Sequence, residues 1–493
     1  MTNGQTIPQI APLAYVPKRV TNVAILTYLL ALVACNILYI SHALPLEWWV
    51  FGLVEVLGFF YMTNHLTKAW INLSPTGFTK NVFWLAFALR AAWVGISYLL
   101  HQHWTGTAFS IDAGDELFYD DVAHYAAGLI RDGNWHIYSA IDKYSGGTMF
   151  SDMGYPLYLS LLYWMFGDSI FIVRIIKAAL GAWTAVLMYK LASRNFGEHT
   201  GRMAAIMCML MPNLIYYCAF QLKEIEMVFL TILFAERADY LLRKSKLMLL
   251  PTILLMLIPA YMFMIRTALA ATLVMAFFGA LIFSSERVVS WGRRTLLILL
   301  AGAFAGVILL TSTAIGRDIQ QMWETRGSNQ RANMEWRSVR KDMAGGLNQR
   351  FARYAGSAVF APLIFTMPFP TMNEVPGQTN QKMIHGGNFV KNILSYFIIM
   401  SLATLLLSGK WRRYVLPLAI LVGYLVVLVF SNFAYSERFH QPILPFMLMF
   451  AAYGISIMRE KPWINKYFTY WCILMFIAAL AWNWFKLAGR GLV

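Results

Sequence analysis

Long apolar runs alternate with short polar connections from one end of this chain to the other. The runs are about 17 to 25 residues long, the length a helix needs to cross the hydrocarbon core of a bilayer. A helix also satisfies its own backbone there, and the two-residue alternation of a barrel strand is absent. Spans are predicted at 23–40, 48–62, 82–100, 169–192, 203–220, 225–242, 247–264, 267–283, 295–315, 389–408, 414–430, 439–458 and 467–485. The stretch 155–166 is apolar but short, and Gly167 and Asp168 close it. Two polar stretches interrupt the runs, one between His101 and Met153 and one from Gly316 to Gly387.

Composition agrees with lipid as the main solvent. A hydrophobic fraction of 59%, 13% charged residues and a mean hydropathy of +0.55 exclude a water-soluble globule, whose core could not bury so much apolar surface. Lys18 and Arg19 precede the first run without a small-residue cleavage site after it, so that run is expected to be a retained helix. Cys35, Cys208, Cys218 and Cys472 sit inside apolar runs without metal-ligand spacing and read as small core residues.

Charge sets the expected orientation. With 155–166 taken as non-spanning, the cationic short loops (Lys18/Arg19, Lys68/Lys80, Lys190/Arg194/Arg202, Arg243/Lys244/Lys246, Arg287/Arg293/Arg294, Lys410/Arg412/Arg413, Arg459/Lys461/Lys466) all fall on the cytoplasmic side. If 155–166 crossed, every later cluster would lie outside. The expectation is therefore about 13 spans, N-terminus in and C-terminus out, with both polar stretches outside. The second of these is basic, but loops longer than about 60 residues are largely exempt from the charge rule. The chain divides into 1–100 (N-terminal tail and three spans), 101–168 (acidic outer loop with juxtamembrane helices), 169–315 (central spans), 316–388 (basic outer loop) and 389–493 (C-terminal spans).

Candidate chemistry gathers on the outer side. The chain carries a net charge of +16 with 24 acidic residues, yet Asp112, Asp115, Glu116, Asp120, Asp121, Asp132, Asp142 and Asp152 crowd the first polar stretch against Arg131 and Lys143 alone. Helical spacing of Asp115, Tyr119 and Ala123, and of Glu116, Asp120 and Ala127, predicts a helix starting near Gly114. Asp112 or Asp115 could simply cap that helix. Alternatively a carboxylate there is a general base that takes the proton of an acceptor hydroxyl or amine. Lys223, Glu224, Arg266, Glu437 and Arg438 fall on the same face, where ionisable groups are costly and mark function. Lys223, Arg266 and Arg438 suit a departing phosphate, although each could instead snorkel toward headgroups. Arg174 and Lys177, three apart on one helix, are weaker candidates. Arg90 lies mid-span and needs a partner, for which Glu55 is the expectation. In the basic stretch, Trp323 and Trp336 interleave with Arg326, Arg331, Arg337 and Arg340, a pattern that grips a glycan or an anionic lipid, or lies on the membrane as an amphipathic helix. Nucleic acid is discounted on an extracytoplasmic face. His385 beside glycines carries little.

The order of these features resembles the polytopic C-type glycosyltransferases, the GT-C superfamily, in the branch with protein O-mannosyltransferases and the lipid A aminoarabinose transferase. The resemblance runs through GDELFYDDVAHYAAGLI, then GYPLYLSLLYWMFGDSIFIVRIIKAALGAWTAVLMYKLASRNFG, MPNLIYYCAFQLKEIEMVFLTILFA and SERFHQPILPFMLMFAAYGI. It covers about two thirds of the chain, and the order of loose motifs carries it. It implies an all-α GT-C-like transmembrane bundle whose first outer loop is catalytic and includes juxtamembrane helices. It further implies transfer of a sugar from a polyprenyl-phosphate donor to a glycan, lipid or protein acceptor outside the plasma or inner membrane, usually with inversion. Asp115 then matches the catalytic base, with Glu116 beside it, and Tyr119, Tyr155, Lys223, Glu224, Arg266, Arg438 and His440 are the substrate-binding candidates. The acidic pair could hold a divalent metal, Mg or Mn, although no second ligand cluster is readable. The lysine of Leu222–Lys223–Glu224 and two extra N-terminal spans depart from the family pattern.

Two rivals stand beside this reading. One is a polymerase or ligase using lipid-pyrophosphate-linked oligosaccharides, which the long basic outer loop allows. The other is a secondary transporter or flippase, for which charges near the midplane between inverted repeats would be expected; no repeat is visible here.

Overall fold

A computed structural model describes residues 12–144, 152–244, 248–284, 363–430 and 436–493, together with residues 295 and 302. The expected span 295–315 and the arginine–tryptophan stretch around Trp323 and Trp336 lie outside the described residues. The protein is an all-α membrane protein: among the described residues there is no strand, only one isolated bridge between Ala43 and Asn373.

Among the described residues, seven segments are long and apolar enough to cross a membrane. They are α1 (Lys18–Leu38), α2 (Leu46–Ala69), α3 (Pro75–Thr105), α7 (Ile170–Phe196), α14 (His385–Leu407), the stretch Lys410–Val429 that contains α15 (Val415–Phe430), and α18 (Pro462–Ala488). Each coincides with an expected span. Their exposed apolar side chains, such as Leu26, Val54, Trp84, Leu99 and Ile477, face lipid. Local chemistry fixes their ends: Ser74 Oγ accepts the Gly77 N–H at 3.1 Å and Pro75 opens α3, while Gly106 closes it at φ 70°.

The remaining expected spans are less regular. The run 203–220 is broken: α8 (Glu198–Leu210) and α9 (Pro212–Tyr216) meet at a bend of 52°. The cause is Pro212, which has no N–H to donate and pushes Met211 into an extended conformation. α11 (Leu249–Ile265) and α12 (Thr267–Phe283) have 17 residues each, and α17 (Leu444–Ser456) has 13. α10 (Glu224–Arg243) carries Glu224, Glu226, Glu236 and Asp239 along its length.

The break explains Arg90. Its guanidinium, fully buried on α3, donates to the carbonyls of Met209 at 3.0 Å and Cys208 at 3.2 Å, at the open end of α8, and to Ala86 at 3.2 Å. The expected Arg90–Glu55 pair does not form. Glu55 on α2 instead accepts the Gly387 N–H at 3.0 Å in the first turn of α14. Each charge thus serves a helix end of opposite partial charge, a bond to the backbone that span hydropathy does not register. Close approach needs glycine at two places. A Cβ on Gly181 of α7 would lie 2.8 Å from Arg90 Nε, and one on Gly454 of α17 would lie 2.3 Å from the Phe397 carbonyl oxygen of α14.

The acidic stretch folds onto the end of this bundle. α4 (Gly114–Arg131) starts at the expected residue and has no side-chain cap, so neither Asp112 nor Asp115 serves as one. It packs against α6 (Gly154–Phe166), with α5 (Ile137–Tyr144) alongside, around Val122, Ala126, Ile141 and Met153. Thirteen residues rise about 20 Å, short of the roughly 30 Å hydrocarbon core. The start of α6 abuts the end of α11, where Tyr261 donates to the Gly154 carbonyl at 3.0 Å and a Cβ on Gly154 would meet Met264 O at 2.8 Å.

Candidate functional site

Four segments distant in sequence meet at the acidic end. The first turn of α4 brings Asp115, and the start of α10 brings Lys223 and Glu224. The α11–α12 junction brings Arg266, and the four-residue helix α16 (Glu437–His440) brings Arg438. A fifth contributor is Asp152, just before α6.

Arg438 is the hub. Its Nε donates to Glu224 and its Nη1 to Asp115, so one guanidinium spans residues from α4 and α10. The two acids differ in setting: the Asp115 side chain is 60% exposed, that of Glu224 only 1%. Asp115 is therefore open to solvent, and Glu224 holds the guanidinium from the buried side. Burial pulls the proton affinity of Arg438 down, but Glu224 and Asp115 push it well above the usual value, so the group stays charged.

Lys223 and Asp152 form the second pair. The ammonium donates to Asp152 and to the Ile265 carbonyl at 2.9 Å, and it sits 5.6 Å from the Tyr119 ring centroid. Burial is the main cause that brings Lys223 down to about 8; Asp152 opposes that shift, while Arg266 and Arg438 add to it. Burial pushes Asp152 up, but Lys223, Arg266 and Arg438 outweigh it and leave the carboxyl below its ordinary value. Tyr119 donates to Asp152 at 3.5 Å; burial, then the Asp152 charge, raises its phenol.

Arg266 differs from the other two cations. Its guanidinium lies over the Phe439 ring at 4.4 Å, and among the described residues it has no carboxylate within ion-pair reach. Its Nε is buried and lacks a hydrogen-bond partner. Asp115, Glu224 and Asp152 are thus paired with Arg438 and Lys223, while Arg266 is held by the Phe439 ring and by a side-chain hydrogen bond with Tyr424.

Six expected residues, Asp115, Tyr119, Lys223, Glu224, Arg266 and Arg438, converge here. Three others are buried and make different contacts. Glu116 turns inward, where it accepts from Ser110 N at 3.3 Å, the Ser110 hydroxyl, Arg174 Nη2 at 3.4 Å and Gln221 N at 2.8 Å. Its expected place beside Asp115 is corrected to that of a buried strut. Tyr155 is buried edge-on to Tyr119, with ring centroids 5.2 Å apart, and accepts from Lys177 at 2.9 Å. His440 is buried and accepts from Lys391 at 3.1 Å through Nδ1.

The Asp115–Glu116 pair does not form a metal seat either. The two carboxylates diverge to Arg438 and Arg174, as neighbours about 100° apart on a helix must. No cluster of three or more potential metal ligands occurs among the described residues. Sequence reasoning passed over Asp152 as an individual, although it is the last acid of the polar stretch before α6. No protein-family model matches the chain, and no curated protein matches it.

Proposed function

We propose that this protein is an integral-membrane glycosyltransferase of the GT-C kind, a bundle of about 13 spans working at the extracytoplasmic face. It moves a sugar from a polyprenyl-phosphate donor to a glycan, lipid or protein acceptor. The observation that carries this reading is the meeting of Asp115 with Arg438, 323 residues apart, beside Lys223 and Arg266 at the end of a membrane-embedded bundle. A carboxylate open to solvent can take the acceptor's proton and fixed cations can stabilise the leaving phosphate, and substrate entry between Asp115 and Arg438 parts their ion pair and frees each for its role.

The roles follow from the contacts. The acceptor oxygen attacks the anomeric carbon while Asp115 takes its proton. The bond from that carbon to the phosphate oxygen breaks, and the electron pair leaves with the lipid phosphate. Arg266, which has no carboxylate within ion-pair reach among the described residues, receives the phosphate first, and Lys223 and Arg438 stabilise the charge that grows on it. Fixed charges in a partly dry site stabilise such charge better than water that must reorganise. Glu224 keeps Arg438 aimed, and Asp152 does the same for Lys223.

The test is direct. The purified protein in lipid nanodiscs is incubated with a panel of polyprenyl-phosphate sugars, and released lipid phosphate is measured. Release with at least one donor, lost in Asp115→Asn, is the expected outcome. A wild-type protein that releases none, or an Asp115→Asn variant with near-normal turnover, refutes the proposal. Substrate movement across vesicles that survives Asp115→Asn would instead favour a transporter.

A further inference from the structure

The segment that delivers Lys223 is itself irregular. Between the short 3-10 turn Tyr217–Ala219 and the start of α10, Phe220 is extended, and Phe220, Gln221 and Lys223 are almost wholly buried. Backbone that leaves a helix inside a membrane protein must find partners from its neighbours. Here four of its polar groups find theirs on α4, α6 and α7. Glu116 of α4 accepts from the Gln221 N–H, and Tyr163 of α6 accepts from the Gln221 side chain at 2.8 Å. Lys177 of α7, with a fully buried side chain, donates to the Phe220 carbonyl at 2.7 Å and to the Leu222 carbonyl. Its third proton goes to the Tyr155 hydroxyl, and Glu226 lies 3.5 Å away as its counter-charge.

An ammonium has three donors and no acceptor, and all three are used. The arrangement does more than satisfy a break. The Leu222 carbonyl belongs to the same peptide plane as the Lys223 N–H, so holding one end of that plane fixes where the Lys223 Cα points. From there a flexible side chain has to reach Asp152 and the Ile265 carbonyl together. We propose that Lys177 is a positioning residue: gripping the carbonyls on both sides of Gln221, it sets the peptide that aims Lys223 into the cleft. It touches no substrate and acts through Lys223. The proposal depends on the transferase reading only for what Lys223 does once aimed.

The experiment reads Lys223 itself. Wild-type protein in nanodiscs is pulse-labelled with acetic anhydride across a pH series, and acetylation of Lys223 is followed by mass spectrometry. The reagent is small, and Lys223 is paired with Asp152, whose side chain is 40% exposed. The groups facing Lys223 are Asp152, Tyr119, Arg266 and Arg438; those facing Lys177 are Glu226, Glu224, Cys218, Tyr155 and Arg174. In Lys177→Met the freed peptide lets Lys223 reach water. Its labelling midpoint then moves from about 8 toward the ordinary lysine value of about 10.4, so that labelling falls between those pH values while the alkaline plateau rises with exposure. Where Lys177→Met does not fold, the double variant Lys177→Met, Glu226→Gln removes the stranded charge and is read in the same way. Lys177→Arg is the third arm. Its planar fork cannot converge on three acceptors, and a smaller shift in the same direction is expected.

If Lys177 merely holds α7 to α10, melting temperatures fall while Lys223 labels as in the wild type. That result, in whichever variants fold, overturns the proposal. A shift of Lys223 in a protein that transfers no sugar would leave the positioning role standing and remove only the transferase reading.

Discussion

Replacing Arg438 by alanine separates what the site costs from what it binds. The substitution strands Glu224, whose side chain is 1% exposed and whose Oε2 has no hydrogen-bond partner even in the intact protein. Breaking a buried pair on one side costs about 3 to 5 kcal/mol, because the remaining charge stays uncompensated. The Asp115 end is different: at 60% exposure its share is about 0 to 1 kcal/mol. Arg438→Ala should therefore lose roughly 3 to 6 kcal/mol of stability. Adding Glu224→Gln should return most of it, because the buried charge is gone. A double-mutant cycle on the unfolding free energy in nanodiscs, measured by steric trapping, gives that coupling. On the binding side, a hydrogen bond to a charged group contributes about 1.5 to 3 kcal/mol, so affinity for a short-chain polyprenyl phosphate should drop about 10- to 150-fold. An Arg438→Ala protein as stable as the wild type, or a cycle with no coupling, refutes the energetic reasoning. Unchanged phosphate affinity refutes the ligand role.

Three further outcomes are expected. Asp115→Asn should abolish transfer while donor affinity and melting temperature stay near wild type, since the side chain is 60% exposed and its ion pair contributes little; steady-state kinetics with direct donor-binding measurements check this. Lys223 gives a pH signature: below about 8 it is cationic and above that it is neutral, so kcat/KM for the phosphate donor should fall above about pH 8. Stability runs the other way, because between about 8 and the ordinary value of about 10.4 the unfolded chain holds the extra proton and folding is favoured as pH rises; a Lys223→Met protein that keeps the same alkaline limb would sink this assignment. Finally, Gly454→Ala should destabilise the α14–α17 contact by about 1 to 3 kcal/mol, since the new methyl would lie 2.3 Å from a backbone oxygen that cannot swing aside; a melting curve matching wild type would contradict it.

Much of the fold was legible because lipid imposes a simple rule. Seven of the expected spans are uninterrupted apolar runs, and all seven are helices of the required length. The short stretch 155–166, taken as non-spanning because that puts the cationic short loops on one side, is the 13-residue α6. What failed to read was depth. The run 203–220 passes a hydropathy test, but Pro212 breaks it, and the break creates open carbonyls that then capture Arg90. A search for an opposite charge near Arg90 finds Glu55, the obvious side chain, and misses a partner made of backbone.

The site shows the same division between charge and geometry. That Asp115, Lys223, Arg266 and Arg438 share one end followed from counting spans, since each sits in a connection on the same side of the bundle. Which of them touch could not follow, because contact between residues 115 and 438 depends on how α4 and α16 pack. The fate of Glu116, by contrast, was available from helical geometry. Adjacent residues point about 100° apart, so if Asp115 faces the cleft its neighbour faces the protein, and there Arg174 and the Gln221 N–H wait for it. The buried acid and the exposed acid thus divide the work: Glu116 ties the first turn of α4 to the segment carrying Lys223, and Asp115 on the same turn reaches Arg438.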